Sequence, residues 1–141
     1  KLWLTDFRPS NLFMWQGIYR YLDETQPAID GIGLQIHVEA NPYSPHGWHN
    51  LRHSPHAIGF VIDQAKARDY AVAFSEVTVW DDDDISRDQT YGDICNQALT
   101  LGCEWLTLWS PTPLDNWHWN LKTTTHKKSH LWNTDGTRIL S

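Results

Sequence analysis

Tyr70-Ala71-Val72-Ala73-Phe74-Ser75-Glu76-Val77-Thr78-Val79 is the stretch that decides the fold. Its apolar side chains follow one another without strict polar alternation, the pattern of a strand covered on both faces. Further apolar runs of strand length lie at residues 2–7, 31–38 and 105–109. Between these runs, apolar residues recur at i, i+3, i+4 and i+7 in three places: Trp15/Ile18/Tyr19/Leu22, Ile58/Val61/Ile62/Ala65 and Tyr91/Ile94/Cys95/Ala98. That spacing gathers each set on one face of a helix. Start signals agree with the periodicity. Ser10 and Asn11 precede the first helix, Ser54 and Pro55 open the second, and Ser86 with Gln89 reads as a capping box for the third. Gly102 closes the third helix, and Pro27 follows the first.

Strands alternating with helices predict repeated right-handed βαβ units and a parallel sheet. Four such strands leave two open edges, and a closed (β/α)8 barrel takes about 250 residues. The expected fold is therefore α/β, four parallel βα units amounting to half of a TIM barrel, with residues 1–141 forming one half-barrel domain. The complementary half is expected from a second polypeptide, another copy of this chain, or residues outside this sequence. Residues 39–53, 80–85 and 110–125 follow strand ends and form mostly long connections. Carboxyl ends of parallel strands are where α/β folds bind ligands, so the site is expected there.

Composition narrows the partners. With 40% hydrophobic and 20% charged residues, the chain reads as globular. Its 17 acidic against 11 basic side chains leave a charge of −6, which disfavours nucleic acid and anionic membrane surfaces. The longest strongly apolar stretch, residues 57–62, is far too short to span a bilayer, and no signal-like segment follows Lys1. Two cysteines, Cys95 and Cys103, make no disulfide scaffold or zinc-finger pattern; whether they bond to each other stays open. No glycine-rich phosphate loop or serine-nucleophile elbow occurs, so phosphoryl transfer and dinucleotide binding lack support. A neutral ligand such as carbohydrate fits better, and nine Trp strengthen that reading.

Only four Glu occur. Glu24 is expected at a helix end, Glu39 in a loop, and Glu104 at a strand start away from the long loops. Glu76 falls near the loop end of a buried strand, where an uncompensated charge is costly to hold. It is therefore either a catalytic carboxylate or one member of an ion pair with the complementary half. Gln35 and His37 share a strand face by period-two spacing and are expected at the same mouth. Trp109 ends the last strand, with Trp117 and Trp119 in the loop beyond. Their indoles are suited to the apolar faces of sugar rings, or else to covering the barrel end. His46, His49, His53 and His56 have the spacing of a metal stripe, but Gly47 and Pro55 break the helix that would align them. Asp81 to Asp84 lacks the alternation of a calcium loop and reads as a solvated run. No metal or cofactor is expected.

These residues, taken in order, resemble the carboxyl-terminal half of a glycoside hydrolase family 10 barrel, the endo-β-1,4-xylanases. Lys1-Leu2-Trp3-Leu4-Thr5-Asp6-Phe7 is similar to the family's fifth strand, K-L-[FY]-x-N-D-Y. Ile29-Asp30-Gly31-Ile32-Gly33-Leu34-Gln35-Ile36-His37 resembles the sixth, I-D-G-[IV]-G-x-Q-x-H. Ala73-Phe74-Ser75-Glu76-Val77 resembles the seventh, I-T-E-L-D. Leu106-Thr107-Leu108-Trp109 followed by Trp117 resembles the eighth, which has two Trp at the same separation. The resemblance implies a retaining glycosidase acting on β-1,4-linked xylan, with Glu76 as nucleophile and His37 as its hydrogen-bonded neighbour. Gln35, Trp109 and Trp117 would form part of the sugar cleft. It also implies secretion, and an acid/base on a W-D-V-V-N-E-like strand that these residues lack, so a complementary amino-terminal half is required. Thr78 stands where the family usually has an Asp supporting the histidine, Phe7 where it has Tyr, Thr5 Asn, Ser110 Gly, Pro113 Asp and Asn116 Ser. These departures sustain an alternative, a carbohydrate-binding or structural half-barrel without catalysis. A metal protein built on the histidine loop is the third reading.

Overall fold

The computed structural model describes residues 1–7, 11–39, 55–80 and 84–109. The elements are β1 (Trp3–Phe7), α1 (Leu12–Thr25), β2 (Gly31–Glu39), α2 (Pro55–Lys66), β3 (Ala71–Trp80), α3 (Asp84–Thr100) and β4 (Leu106–Leu108). The strands form one sheet in the order β1-β2-β3-β4, and every pairing is parallel. This is the expected run of βα units, with helices packed on one face of a barrel-like wall.

The periodic positions form the core. Trp15, Tyr19 and Leu22 from α1, Ile58, Val61, Ile62 and Ala65 from α2, and Tyr91, Ile94 and Ala98 from α3 are buried. They meet Ile32, Leu34, Ile36 and Val38 of β2 and Val72, Phe74, Val77 and Val79 of β3. Each fully buried large side chain contributes roughly 1.5–3 kcal/mol relative to its exposed state. Two hydroxyls serve backbone groups at these contacts. Tyr19 Oη donates to the Val61 carbonyl at 2.7 Å. The Val79 N–H, past the short reach of β4, donates to Tyr91 Oη at 3.1 Å, which satisfies a buried donor that would otherwise be costly.

Burial on both faces holds for the two inner strands. β1 and β4 are only half covered, with Thr5 and Thr107 exposed, because each is a sheet edge among the described residues. β4 is also shorter than its apolar run. Trp105 and Trp109 lie just outside it, although the Trp105 carbonyl accepts from Phe74 N and Trp109 N donates to the Val77 carbonyl. Two further boundaries differ from expectation. Glu39 is the last residue of β2, not part of a loop, because the parallel pairing continues to Glu39 and Trp80. α3 begins at Asp84, so Ser86 lies inside its first turn and is not a cap. Asp84 thus belongs to the helix and not to a loop. Asp81 to Asp83 lie outside the described residues.

The capping chemistry is otherwise local. Asn11 Oδ1 accepts from Met14 N at 3.1 Å at the start of α1. Both α2 and α3 end in Schellman turns. Tyr70 N bonds Ala65 O and Asp69 N bonds Lys66 O, while Cys103 N bonds Ala98 O and Gly102 N bonds Leu99 O. The left-handed position is Gly102 in one turn (φ +64°) and Asp69 in the other (φ +60°). We expect Gly102→Ala to lower the stability by about 1 kcal/mol and Asp69→Gly to raise it by a similar or smaller amount, read as opposite shifts of the urea midpoint. Cys95 and Cys103 are free thiols; burial raises the pKa of both, that of Cys103 to about 11, which leaves them weakly reactive at neutral pH. No described helix is long and apolar enough to cross a membrane.

The sheet is curled. At the amino ends of the strands, the Trp3 and Trp105 rings meet edge to face at 5.3 Å, and Lys1 Nζ lies 3.0 Å from Glu104 Oε2. Two edge strands separated by two others touch only if the wall bends. Gly31 and Gly33 of β2 make room for this. A Cβ on Gly31 would stand 2.5 Å from the Trp3 ring, and one on Gly33 would stand 2.7 Å from Thr5 Cγ2 and 2.9 Å from Ser75 Cβ.

Candidate functional site

The carboxyl ends of β2 and β3 bring the polar residues together. Along most of β2 and β3 the pairing is regular, but it shifts by one residue after Leu34↔Phe74, so that Gln35 faces Glu76 and His37 faces Thr78. Ser75 is the extra residue of this β-bulge. A bulge places two consecutive residues on one side of a strand, which is how a strand re-aims a side chain beside a site. Ser75 therefore fills the space above Gly33, while Glu76 turns toward Gln35 and His37.

Gln35 Nε2 donates to Glu76 Oε1 at 3.2 Å, and His37 Nε2 lies 3.5 Å from Glu76 Oε2. The two neighbours thus address different oxygens, which fixes the carboxylate plane. The side chains of Glu76 and His37 are 26% and 19% exposed, so the group is half-buried and still reachable. Burial pushes the Glu76 carboxyl above its ordinary pKa, since desolvation penalises the charged form. A protonated His37 would act in the opposite sense. Among the described residues the arrangement can hold a carboxylate in a set orientation and switch hydrogen bonds with its protonation state.

Glu76, Thr78 and Trp80 follow one another at alternate positions on β3. Thr78 is fully buried, and its hydroxyl donates to the Trp109 carbonyl over 3.5 Å. Trp109 is thereby held beside β3 through its backbone while its side chain stays largely exposed. Trp80 is buried, and its indole lies nearly parallel to the His37 ring, with centroids 6.1 Å apart and planes at 17°. Sequence reading missed Trp80 because it placed the strand end at Val79. Extending the period-two count from Glu76 through Thr78 by one more step is the signal that finds it.

Glu76, His37 and Gln35 are therefore brought into one cluster, with Trp109 on the neighbouring strand end. Trp117 lies outside the described residues, as do Trp119, Ser110, Pro113, Asn116, His46, His49 and His53. His56 is in the first turn of α2. Among the described residues no three His, Cys, Asp or Glu side chains converge as a metal site would require. A groove of about 290 Å³ between α1 and α2 lies on the outer helical face, where Arg68 binds both oxygens of Asp23 at 2.7 and 2.8 Å and covers the Tyr19 ring. Its charges answer each other, which makes it a packing feature of the helix pair.

Four parallel βα units with a polar cluster at the carboxyl end of the sheet define a segment of a TIM-barrel-like α/β fold. Solved structures similar to it include several xylanases. An endo-1,4-β-xylanase from Caldicellulosiruptor owensensis superposes with a TM-score of 0.74 at 16% identity, covering 98% of this chain and 46% of that one. A thermostable mutant of the xylanase Xyn10A from Cellvibrio japonicus gives 0.69 at 17%, covering 97% and 46%. An intracellular xylanase from Thermoanaerobacterium saccharolyticum, solved with xylotetraose, gives 0.62 at 16%, covering 98% and 41%. The chain thus spans less than half the length of these structures, and the likeness is one of fold. No family model matches the sequence, and no curated protein matches it.

Proposed function

We propose that this chain is the nucleophile-bearing, carboxyl-terminal half-barrel of a retaining endo-β-1,4-xylanase-like glycoside hydrolase. The observation that carries the reading is the bulge-directed Glu76, held by Gln35 on one oxygen and His37 near the other, at the carboxyl end of the sheet. In this reading Glu76 attacks the anomeric carbon as a carboxylate, the glycosidic oxygen leaves with a proton from the acid/base, and water later releases the sugar from the ester. Retention needs the second carboxyl about 5–5.5 Å from the first. A complementary amino-terminal half supplies it, together with the strands that pair with the open edges of β1 and β4. Gln35 and Trp109, with Trp117, hold the sugar; His37 orients the nucleophile. The substrate is a β-1,4-linked xylan or its oligosaccharides, and the family resemblance implies secretion.

The test is covalent capture. A 2-fluoro-xylobioside with a good leaving group should add one glycosyl unit to the assembled hydrolase, located on the peptide containing Glu76 by mass spectrometry. Label on another carboxylate would reassign the nucleophile. A pH profile gives an independent check. Desolvation holds the proton on Glu76 to a higher pH than in an ordinary glutamate, and only the ionised form attacks. Hydrolysis should therefore fall on acidification at a pH above the usual glutamate range, and an acidic limb at or below that range would contradict this electrostatic account.

Two observations favour a second reading, a half-barrel that binds carbohydrate without cleaving it. Burial that favours the neutral carboxyl weakens Glu76 as a nucleophile, and the Thr78 hydroxyl is directed to the Trp109 carbonyl. Calorimetry with xylo-oligosaccharides separates the two: heat of binding with no reducing sugar released supports the second, and release supports the first.

A further inference from the structure

Glu76 reaches the cleft because β3 carries an extra residue, and the room for that residue is made on another strand. We propose that Gly33 is a positioning residue for Glu76: the side chain it lacks is the space in which Ser75 sits, and a side chain there turns the carboxylate away from Gln35 and His37. The inference rests on the hydrolase reading only for its kinetic consequence. Its structural content stands on the strand geometry.

From Phe74 to Val77, β3 advances three residues, while β2 (Leu34 to Ile36) and β4 (Leu106 to Leu108) each advance two. Both neighbours therefore register the same extra residue. Its effect is a change of parity: Val72 and Phe74 lie in the helix-packed core before the bulge, and Val77 and Val79 after it. In a regular ladder Ser75 would pair with Gln35 and Glu76 with Ile36, whose side chain is 1% exposed in that core. A slip of one residue moves every later side chain to the other face, so without the bulge the carboxylate points among the helices. The bulge puts Ser75 and Glu76 on one side of β3, and Ser75 then needs a place beside β2. Gly33 is where β2 leaves one. A Cβ on Gly33 would stand 2.9 Å from Ser75 Cβ and 3.0 Å from its Oγ. Turning the hydroxyl relieves only the second contact. A Cβ is fixed by its own backbone, so the first is relieved by moving the bulge, and Glu76 is the next residue along it. Gly33 does not lie at positive φ, so an alanine there meets no backbone strain and space alone decides the outcome.

The test exchanges one Cβ between the strands, in the assembled protein carrying Thr5→Ser. That background removes Thr5 Cγ2, which a Cβ on Gly33 would meet at 2.7 Å, and leaves Ser75 as the obstacle. There Gly33→Ala should lower kcat on a xylo-oligosaccharide by roughly a hundredfold, the scale of a misplacement of about 1 Å, with KM within about threefold. Adding Ser75→Gly should restore most of the rate. A second readout needs no turnover. Gln35 Nε2 donates to Glu76 Oε1, so the Gln35 side-chain amide resonance, identified by its loss in Gln35→Met, should shift as Glu76 titrates. Gly33→Ala should abolish that shift, and Ser75→Gly should bring it back. A general loss of packing predicts the reverse, since Ser75→Gly removes a further side chain. A Gln35 signal that titrates in Gly33→Ala as it does in the background overturns the proposal, as does one that stays silent when Ser75→Gly is added. In an active protein, equal kcat with and without Gly33→Ala also overturns it. If Gly33→Ala fails to fold, the variant with Ser75→Gly carries the test: a folded protein with a titrating Gln35 signal supports the proposal, and an unfolded one or a silent signal overturns it. If Glu76→Ala leaves hydrolysis intact, the hydrolase reading fails separately, and the Gln35 resonance alone decides whether Gly33 sets the place of Glu76.

Discussion

Replacing Glu76 by Ala in the assembled hydrolase is expected to lower the hydrolysis of a xylo-oligosaccharide by at least about 10⁴-fold, the scale on which removing a covalent nucleophile acts. Loss of rate alone is not the signature, because a misfolded protein is also inactive. Added azide should restore turnover in Glu76→Ala by entering the space the carboxylate leaves, and the product should be a glycosyl azide of inverted configuration. Stability supplies the control. The raised pKa of Glu76 means that the folded state holds its proton more tightly than the unfolded chain does. Below the unfolded pKa both states are protonated and the site costs nothing. As pH rises through the folded pKa, a carboxylate must be carried in a half-buried place, and stability declines. Glu76→Gln should therefore be no less stable than the parent near neutrality and should gain less from the substitution in acid, read from urea midpoints at two pH values. An inactive variant that is more stable at neutral pH is the mark of a functional carboxylate, and unchanged turnover would remove Glu76 from the mechanism.

The helices and the alternation of strand and helix along the chain were legible because they follow from periodicity. Ile58, Val61, Ile62 and Ala65 recur at helical spacing and all end up buried, and the run at residues 70–79 lacks alternation because both faces of β3 are covered. The cluster was legible in part. Gln35 and His37 share a face by a count of two, and Glu76 stands out as a charge in an apolar run. How Glu76 comes to face them was not legible. A regular ladder carries one residue opposite one, and nothing in Phe74-Ser75-Glu76 announces that Ser75 is the extra residue of a bulge. Trp80 was missed for a related reason, since strand length depends on the partner strand, and β2 continues to Glu39. Two open edges were expected, but which strands carry them was not legible, because Leu4 or Leu106 reads as core wherever it stands, and only the sheet order shows that, among the described residues, β1 and β4 have one neighbour each.

Gly31→Val is expected to be the most destabilising of the strand substitutions, by at least about 3 kcal/mol, the upper part of the range for overpacking. The reason lies in what surrounds the missing Cβ: two atoms of the Trp3 ring at 2.5 and 2.7 Å, and the backbone oxygen of Ala71 at 2.8 Å. A side chain can move, but Ala71 O belongs to β3, and Ala71 N is itself bonded to the Asp30 carbonyl at the same end of the sheet. The clash therefore has one part that yields and one that does not, and a double-mutant cycle separates them. Trp3→Ala alone loses the Trp105 contact, but in its presence Gly31→Val should cost less than in the parent, by the share due to the ring. The remainder should persist in both backgrounds because it comes from the backbone. Equal costs with and without Trp3 would mean that the indole does not lie across β2. The curl that brings Trp3 to Trp105 would then need another cause, and with it the angle at which β2 and β3 present Gln35, His37 and Glu76.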